Sequence, residues 1–76
     1  MIEIKYRKET ELLEIIVDSN HSSTSLFFKI GKYIGENNLQ FSSLYANAVT
    51  ILDFDIDNLS KFLEKISVTE IKLEII

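Results

Sequence analysis

The chain opens with alternating apolar and charged residues. Ile2, Ile4 and Tyr6 occupy every second position, which is the pattern of a strand with one buried and one exposed face. After a short polar connection, residues 12–17 form a second apolar run that is rich in β-branched side chains. The two segments predict an antiparallel β-hairpin.

The spacing of apolar residues then changes from two to four. Leu26, Ile30 and Ile34 lie along one side of a helix predicted over residues 22–37. Serines at its start can accept hydrogen bonds from the first free amides. The asparagine at 37 or 38 can adopt the left-handed conformation that ends a helix.

Residues 39–45 and 48–56 predict two more strands. Ala46 and Asn47 between them suit a tight turn, because asparagine tolerates a positive φ. One long strand over residues 39–56 is the alternative interpretation, and the pattern alone does not decide between the two.

A second amphipathic helix follows, with Asp57 as its expected N-terminal cap. Leu59, Phe62 and Ile66 fall on one side of this helix. Residues 71–75 alternate again between apolar and charged side chains, which predicts a last strand.

The predicted order of elements is β-β-α-β-β-α-β. Hairpins pair antiparallel, and two amphipathic helices can cover one face of a sheet. We therefore expect an α+β fold, a two-layer sandwich with a mostly antiparallel sheet of four to five strands and two helices on one face. The leading topology is a ferredoxin-like variant with one extra strand. A chain of 76 residues, 46% of them apolar, predicts a single domain over 1–76.

The sheet face away from the helices is expected to carry apolar residues. Leu12 and Ile16 face outward if their neighbours in the strand face the core. Val49 and Ile51 also face outward if Phe54 belongs to the core. These four residues would form an apolar patch, which in a small domain favours a homodimer. A loop or strand that folds over this face is the alternative.

Composition excludes several kinds of site. The chain has no cysteine, so disulfides and thiolate zinc sites are absent. Its net charge of −4 argues against direct binding to nucleic acid phosphates. Its apolar runs are much shorter than a membrane span, and charges near the start do not fit a signal peptide. We therefore expect a cytoplasmic protein without membrane contact. Its isoleucine- and lysine-rich composition indicates an A+T-rich coding sequence, which is consistent with a bacterial or phage source.

The charge imbalance is local, because no lysine or arginine occurs between positions 32 and 61, while four acidic residues do. These four residues are expected to form a partner-binding surface: Glu36, Asp53, Asp55 and Asp57. We expect Asp53 and Asp55 on one face of a strand, about 6.5 to 7 Å apart, where they would imitate phosphates.

The aspartates also match part of a calcium-binding loop. Asp53, Asp55, Asp57 and Glu64 have the spacing of four charged positions in an EF-hand. Asparagine replaces the glycine of the sixth position, however, and apolar residues separate the aspartates. The three aspartates are better explained as the solvent-exposed face of a strand followed by a helix cap, so no metal site is predicted.

The polar segment before the first helix contains the only histidine, His21. Its serines could hold an anion at the free amides of the helix. A serine, His21 and Asp18 could also supply the nucleophile, base and carboxylate of a hydrolase. The segment has no glycine for a phosphate loop or a nucleophile turn. Helix capping and a solvated histidine are the expected roles.

Gly31 and Gly35 are the only glycines and lie four residues apart on the first helix. Each costs about 1 kcal/mol relative to alanine there, so some contact should compensate. The spacing puts both on one side of the helix, where they form a possible dimer or packing face.

Together these features predict a small acidic protein-binding protein rather than an enzyme. We expect an inhibitor of the phage-inhibitor, immunity-protein or antitoxin type, which blocks a basic or nucleic-acid-handling protein. No catalytic residue and no cofactor are predicted. The alternative is a dimeric regulatory module that binds a small ligand between its subunits.

Overall fold

The computed structural model describes residues 2–17, 23–45, 47–68 and 70–76, without the side chains at 23, 24 and 44. Within these ranges the elements follow the predicted order, with a short 3₁₀ helix before the second α-helix. The elements are β1 (Ile2–Arg7), β2 (Leu12–Val17), α1 (Ser23–Glu36), β3 (Gln40–Tyr45), β4 (Ala48–Leu52), the 3₁₀ helix (Ile56–Asn58), α2 (Leu59–Ile66) and β5 (Ile71–Ile75). In the same ranges, no helix is long and apolar enough to cross a membrane.

The five strands form one sheet in the order β3-β4-β2-β1-β5. Three neighbouring pairs are antiparallel, and β5 pairs parallel with β1. Without β1, the strand order is that of a ferredoxin-like β-α-β-β-α-β core, and β1 is inserted between the first and last strands of that core. The predicted α+β sandwich is confirmed. The hairpin interpretation of residues 39–56 is also confirmed, because β3 and β4 are separate antiparallel strands.

The alternation in β1 and β2 decides which sheet face is buried. Six apolar residues, paired across the two strands, are almost completely inaccessible: Ile2, Ile4, Tyr6, Leu13, Ile15 and Val17. A fully buried aliphatic side chain contributes about 1.5 to 3 kcal/mol relative to an exposed one. This face is therefore the centre of the core.

Both helices cover that face with their predicted apolar sides. The buried helical residues are Leu26, Ile30, Tyr33 and Ile34 of α1 and Leu59, Phe62 and Ile66 of α2. The ring of Phe62 contacts those of Tyr33 and Phe54 edge-on, with centroids 5.1 and 5.8 Å apart. Such contacts contribute about 0.5 to 1.5 kcal/mol each beyond the buried area.

Among the described residues, four other than glycine have a positive φ, and each lies where the chain changes direction: Glu11, Asn38, Asp53 and Ser67. Asn38 ends α1 as predicted, and the N–H of Leu39 donates to the carbonyl of Ile34 across this end (3.0 Å). Ser67 ends α2 in the same conformation.

β4 is shorter than the sequence pattern predicted. It ends at Leu52 because Asp53, with φ of 51°, leaves the extended conformation. The alternation is broken there, so Ile51 and Phe54 are both buried. The outward positions predicted for Val49 and Ile51 were wrong, since Ile51 lies in the core and Val49 packs against it. The four-residue apolar patch on the open face therefore does not form.

Candidate functional site

The strand order brings two acidic connections to one end of the sheet. β1 and β4 both pair antiparallel with β2, so they run in the same direction and end on the same side. The connections that follow them, residues 8–11 and 53–58, carry five carboxylates: Glu9, Glu11, Asp53, Asp55 and Asp57. These five residues are called the acidic end below, and all of them are exposed.

The two connections that hold the acidic end carry the whole net charge of the chain. They contain five acidic residues and one base, Lys8, which gives −4. The remaining seven acidic and seven basic residues cancel, and the chain as a whole also has a charge of −4. The field of this protein is therefore concentrated at one end.

Hydrogen bonds hold the two connections together. The N–H of Phe54 donates to the carbonyl of Glu11 (2.8 Å). The buried hydroxyl of Tyr6 donates to the carbonyl of Phe54 (2.7 Å), and the Phe54 ring lies in the core. The buried Phe54 ring and these two hydrogen bonds thus anchor the loop between the exposed carboxylates.

Carboxylates of both connections lie close enough to the Tyr6 hydroxyl to influence its pKa. Burial raises the pKa of this hydroxyl above the ordinary value of 10.0. Carboxylates from both connections raise this pKa further, because they disfavour a second negative charge nearby: Glu11, Asp55 and Asp57. Side chains that are more than 40 positions apart in sequence therefore act on one phenol.

The prediction that Asp57 caps α2 was wrong. Asn58 occupies the N-cap position of α2 without a side-chain cap hydrogen bond, and Asp55 caps the 3₁₀ helix that precedes α2. Asp55 has an extended backbone, and its Oδ1 accepts a hydrogen bond from the N–H of Asp57 (3.0 Å). The prediction was wrong because a 3₁₀ turn precedes α2 and moves the first free amides toward the N-terminus.

The predicted placement of Asp53 and Asp55 on one face of a strand was also wrong. Both residues lie beyond the end of β4, and the left-handed Asp53 is not followed by a strand. The calcium-loop spacing does not form a loop either, since α2 starts at Leu59 and Glu64 lies within it. Among the described residues, no group of three or more His, Cys, Asp or Glu side chains is arranged to hold a metal ion.

Glu36 lies at the C-terminal end of α1, with different neighbours from the aspartates. Its Oε1 is 3.9 Å from the Nζ of Lys32. The two residues line a shallow cleft with Lys29, Tyr33 and Lys65 between the helices. The structure thus brings Asp53, Asp55 and Asp57 together with the acidic end but pairs Glu36 with a base.

Gly31 and Gly35 both face outward on α1. Within the described part of the chain, nothing lies within 4 Å of the position that a Cβ would take at either residue. Gly31 lines an open groove between α1 and the β3–β4 hairpin. Close packing inside the chain therefore does not account for these glycines. His21, Asp18 and Ser22 lie outside the described residues.

The sequence interpretation missed Glu9 and Glu11 as members of the acidic end. Both lie in a turn that looks like an ordinary polar connection, and the left-handed Glu11 has no local signature. Only the common direction of β1 and β4 brings this turn beside the aspartates. In comparisons with known proteins, no family model, no curated protein and no solved structure matches the chain.

Proposed function

We propose that the protein is a small inhibitor that uses its acidic end to bind and block a basic protein, such as a nucleic-acid-handling enzyme. It would act in the cytoplasm in the manner of phage inhibitors, immunity proteins and antitoxins, without catalysis and without binding nucleic acid directly. The observation that carries the proposal is the concentration of the net charge of −4 on two adjacent connections.

A charge distribution of this kind favours fast and selective association. Opposite charges on two surfaces steer their encounter, and the effect weakens with salt because the Debye length is about 10 Å at 0.1 M ionic strength. The hydrogen-bonded frame of the acidic end also limits the conformational entropy that binding would cost. A partner that contacts phosphates with lysines and arginines would present the complementary surface.

A triple variant tests the acidic end: Asp53→Asn, Asp55→Asn and Asp57→Asn. Asparagine tolerates the positive φ at position 53 and caps a helix as well as aspartate does at position 55, so we expect the fold to be kept. The measurement is capture of binding proteins from a bacterial lysate at low salt, followed by association kinetics with each captured protein. We expect the association rate to fall at least about tenfold and its salt dependence to weaken.

The matched control removes three negative charges elsewhere, with Glu64→Gln, Glu70→Gln and Glu74→Gln. All three glutamates are exposed and lie outside the acidic end. This variant should associate at the rate of the unmodified protein. Equal association rates for the triple asparagine variant and the unmodified protein, or no captured protein at low salt, would contradict the proposal.

We also propose that the protein works as a homodimer. A small domain without cysteine gains stability when a second copy covers its exposed apolar residues, and Phe28, Phe41 and Tyr45 are all more than half exposed. The regulatory module that binds a small ligand between subunits is the alternative. A ligand-dependent rise in melting temperature during a screen of metabolites would favour that alternative.

A further inference from the structure

An apolar groove runs between α1 and the β3–β4 hairpin, on the helix side of the sheet. It encloses about 450 Å³ and is lined by Phe27, Ile30, Gly31, Ile34, Phe41, Ser43 and Val49. The hydroxyl of Ser43 is already 3.2 and 3.0 Å from the carbonyls of Tyr45 and Ala48. A polar small molecule would find few groups to bind here, because ligand pockets usually combine apolar walls with several free polar groups.

α1 packs against α2 on one side and leaves Phe41 of β3 exposed on the other. On the α2 side, Tyr33 of α1 packs against Phe62, and the Nζ of Lys29 lies 3.4 Å from the carbonyl of Ile66. On the β3 side, Gly31 has no side chain to extend over the sheet. Phe41 is therefore 57% exposed, although it pairs with the fully buried Ile51 of β4.

β3 is an edge strand without charged residues. It lies at one end of the strand order, so one side of its backbone has no partner strand among the described residues. The sequence around it, residues 37–52, contains no charged side chain over sixteen positions. Exposed aromatic residues flank the strand on both sheet faces, with Phe41 on the helix side and Tyr45, paired with Ala48, on the open side. Such an edge invites pairing with another chain.

We propose that a second copy of this chain covers the groove and the β3 edge, with β3 antiparallel to its counterpart and the α1 helices side by side. This inference rests on the proposed homodimer and identifies its surface. An antiparallel pair of identical edges is self-complementary under a two-fold axis. Phe28 and Phe41 of each copy would then lie over the groove of the other, above Gly31.

Charge favours a second copy as the occupant. Two molecules that each carry −4 repel each other wherever their acidic ends approach. The uncharged segment 37–52 allows contact without any buried carboxylate. In an antiparallel pair, the acidic end of each copy lies next to the opposite end of the other sheet. The two acidic ends are therefore far apart, and both remain open to a partner.

The exposed area is compatible with a dimer. A fully exposed aromatic side chain can bury about 150 to 250 Å², and Phe28, Phe41 and Tyr45 are 74, 57 and 69% exposed. These three residues would supply roughly half of the about 800 Å² per partner of a standard interface. A bulge between Ser42 and Tyr45 shortens the regular part of the edge, so side chains rather than a long ladder should dominate the contact.

The experiment is sedimentation equilibrium from micromolar to submillimolar concentration. The unmodified protein should show twice the chain mass of 8.8 kDa. Phe41→Glu should raise the dissociation constant at least about 100-fold, because it places two carboxylates at the seam. Phe28→Ser changes α1 and not the sheet, and it should raise the dissociation constant less. Circular dichroism checks that both variants are folded.

Leu73→Glu is the matched control, since Leu73 is a half-exposed, helix-side residue on the opposite edge strand β5. It should leave the dimer intact, as should the triple asparagine variant of the acidic end. A mass of 8.8 kDa for the unmodified protein at all concentrations would overturn both the dimer and this surface. A dimer that persists in Phe41→Glu, or that dissociates equally in Leu73→Glu, would overturn the surface alone. Neither result would bear on the acidic end, which is tested by partner binding.

Discussion

The two edges of the sheet differ in charge rather than in exposed apolar area. β5 presents Leu73 and Ile75 on the helix side, at 43 and 48% exposure, and β3 presents Phe41 at 57%. On the open side, β5 carries Lys72 and Glu74, which lie opposite Glu3 and Lys5 of β1 with complementary charge. β3 carries no charge on either side.

The difference shows how one sheet can protect one edge and leave the other available. Charged side chains on an edge strand discourage a second chain from pairing with it, because they would have to be desolvated. Exposed apolar side chains alone do not make an interface, since both edges have them. We therefore expect the β3 edge to pair with a second copy as the protein concentration rises, and the β5 edge to contribute only to the stability of the monomer.

The largest expected effect separates the core from the β5 edge. Ile51→Ala should lower the free energy of unfolding by about 2 to 5 kcal/mol, because Ile51 is fully buried and the change leaves a cavity. Leu73→Ala should cost less than half as much, since water already reaches that side chain. Urea denaturation of both variants in dilute solution measures the difference. Equal losses would mean that Leu73 is covered in solution, which would remove the contrast between the edges.

A smaller effect is expected at the two tyrosines nearest the edges. Tyr6 lies on β1 beside β5, and Tyr6→Phe should cost about 1 to 2 kcal/mol because it leaves the buried carbonyl of Phe54 without its donor. Tyr45→Phe on β3 should change the stability of the monomer by less than about 0.5 kcal/mol, as Tyr45 is exposed. Urea denaturation again measures both losses of stability. An equal loss at Tyr45 and Tyr6 would contradict the description of Tyr45 as exposed in the monomer and of Tyr6 as a buried hydrogen-bond donor.

Tyr6 also predicts a dependence on alkaline pH. Burial and the surrounding carboxylates raise its pKa in the folded state above the unfolded value near 10. Its contribution to stability is therefore complete below pH about 10 and is lost as the pH rises through the folded pKa. The unmodified protein should lose stability more steeply above this pH than Tyr6→Phe does. The raised pKa of Tyr33, which burial causes, is common to both proteins. Parallel pH profiles would contradict the prediction.

The smallest effect has the opposite sign and concerns the β3 side. Gly31→Ala should stabilise the monomer by about 0.5 to 1 kcal/mol, because alanine favours the helix and a Cβ meets no atom of the described chain. The gain should appear in dilute solution and shrink at high protein concentration, where a second copy approaches α1. Thermal unfolding over a range of concentrations measures it. A gain that is independent of concentration would argue against contact at this glycine.

Local patterns predicted the elements well because burial of one face leaves a period in the sequence. β1 and β2 followed from strict alternation, and the apolar sides of α1 and α2 followed from their four-residue spacing. The end of β4 was not predicted, because Asp53 adopts a left-handed conformation, which is uncommon for residues other than glycine and which no neighbouring residue signals. The left-handed Asp53 ends the alternation of β4, so the outward position predicted for Ile51 was wrong. The 3₁₀ helix that follows it made the cap predicted at Asp57 wrong.

The sequence by itself determined the class of the fold, the buried side of each helix and of the N-terminal hairpin, and the acidic balance of the chain, since these depend on residue type and short spacing. Only the tertiary structure decided which charges meet and which surfaces stay open. Glu11 lies beside the aspartates because β1 and β4 run in the same direction, and Glu36 lies beside Lys32 instead. Phe41 is exposed because α1 packs toward α2. Such relations depend on pairings between distant segments, which a local pattern does not encode.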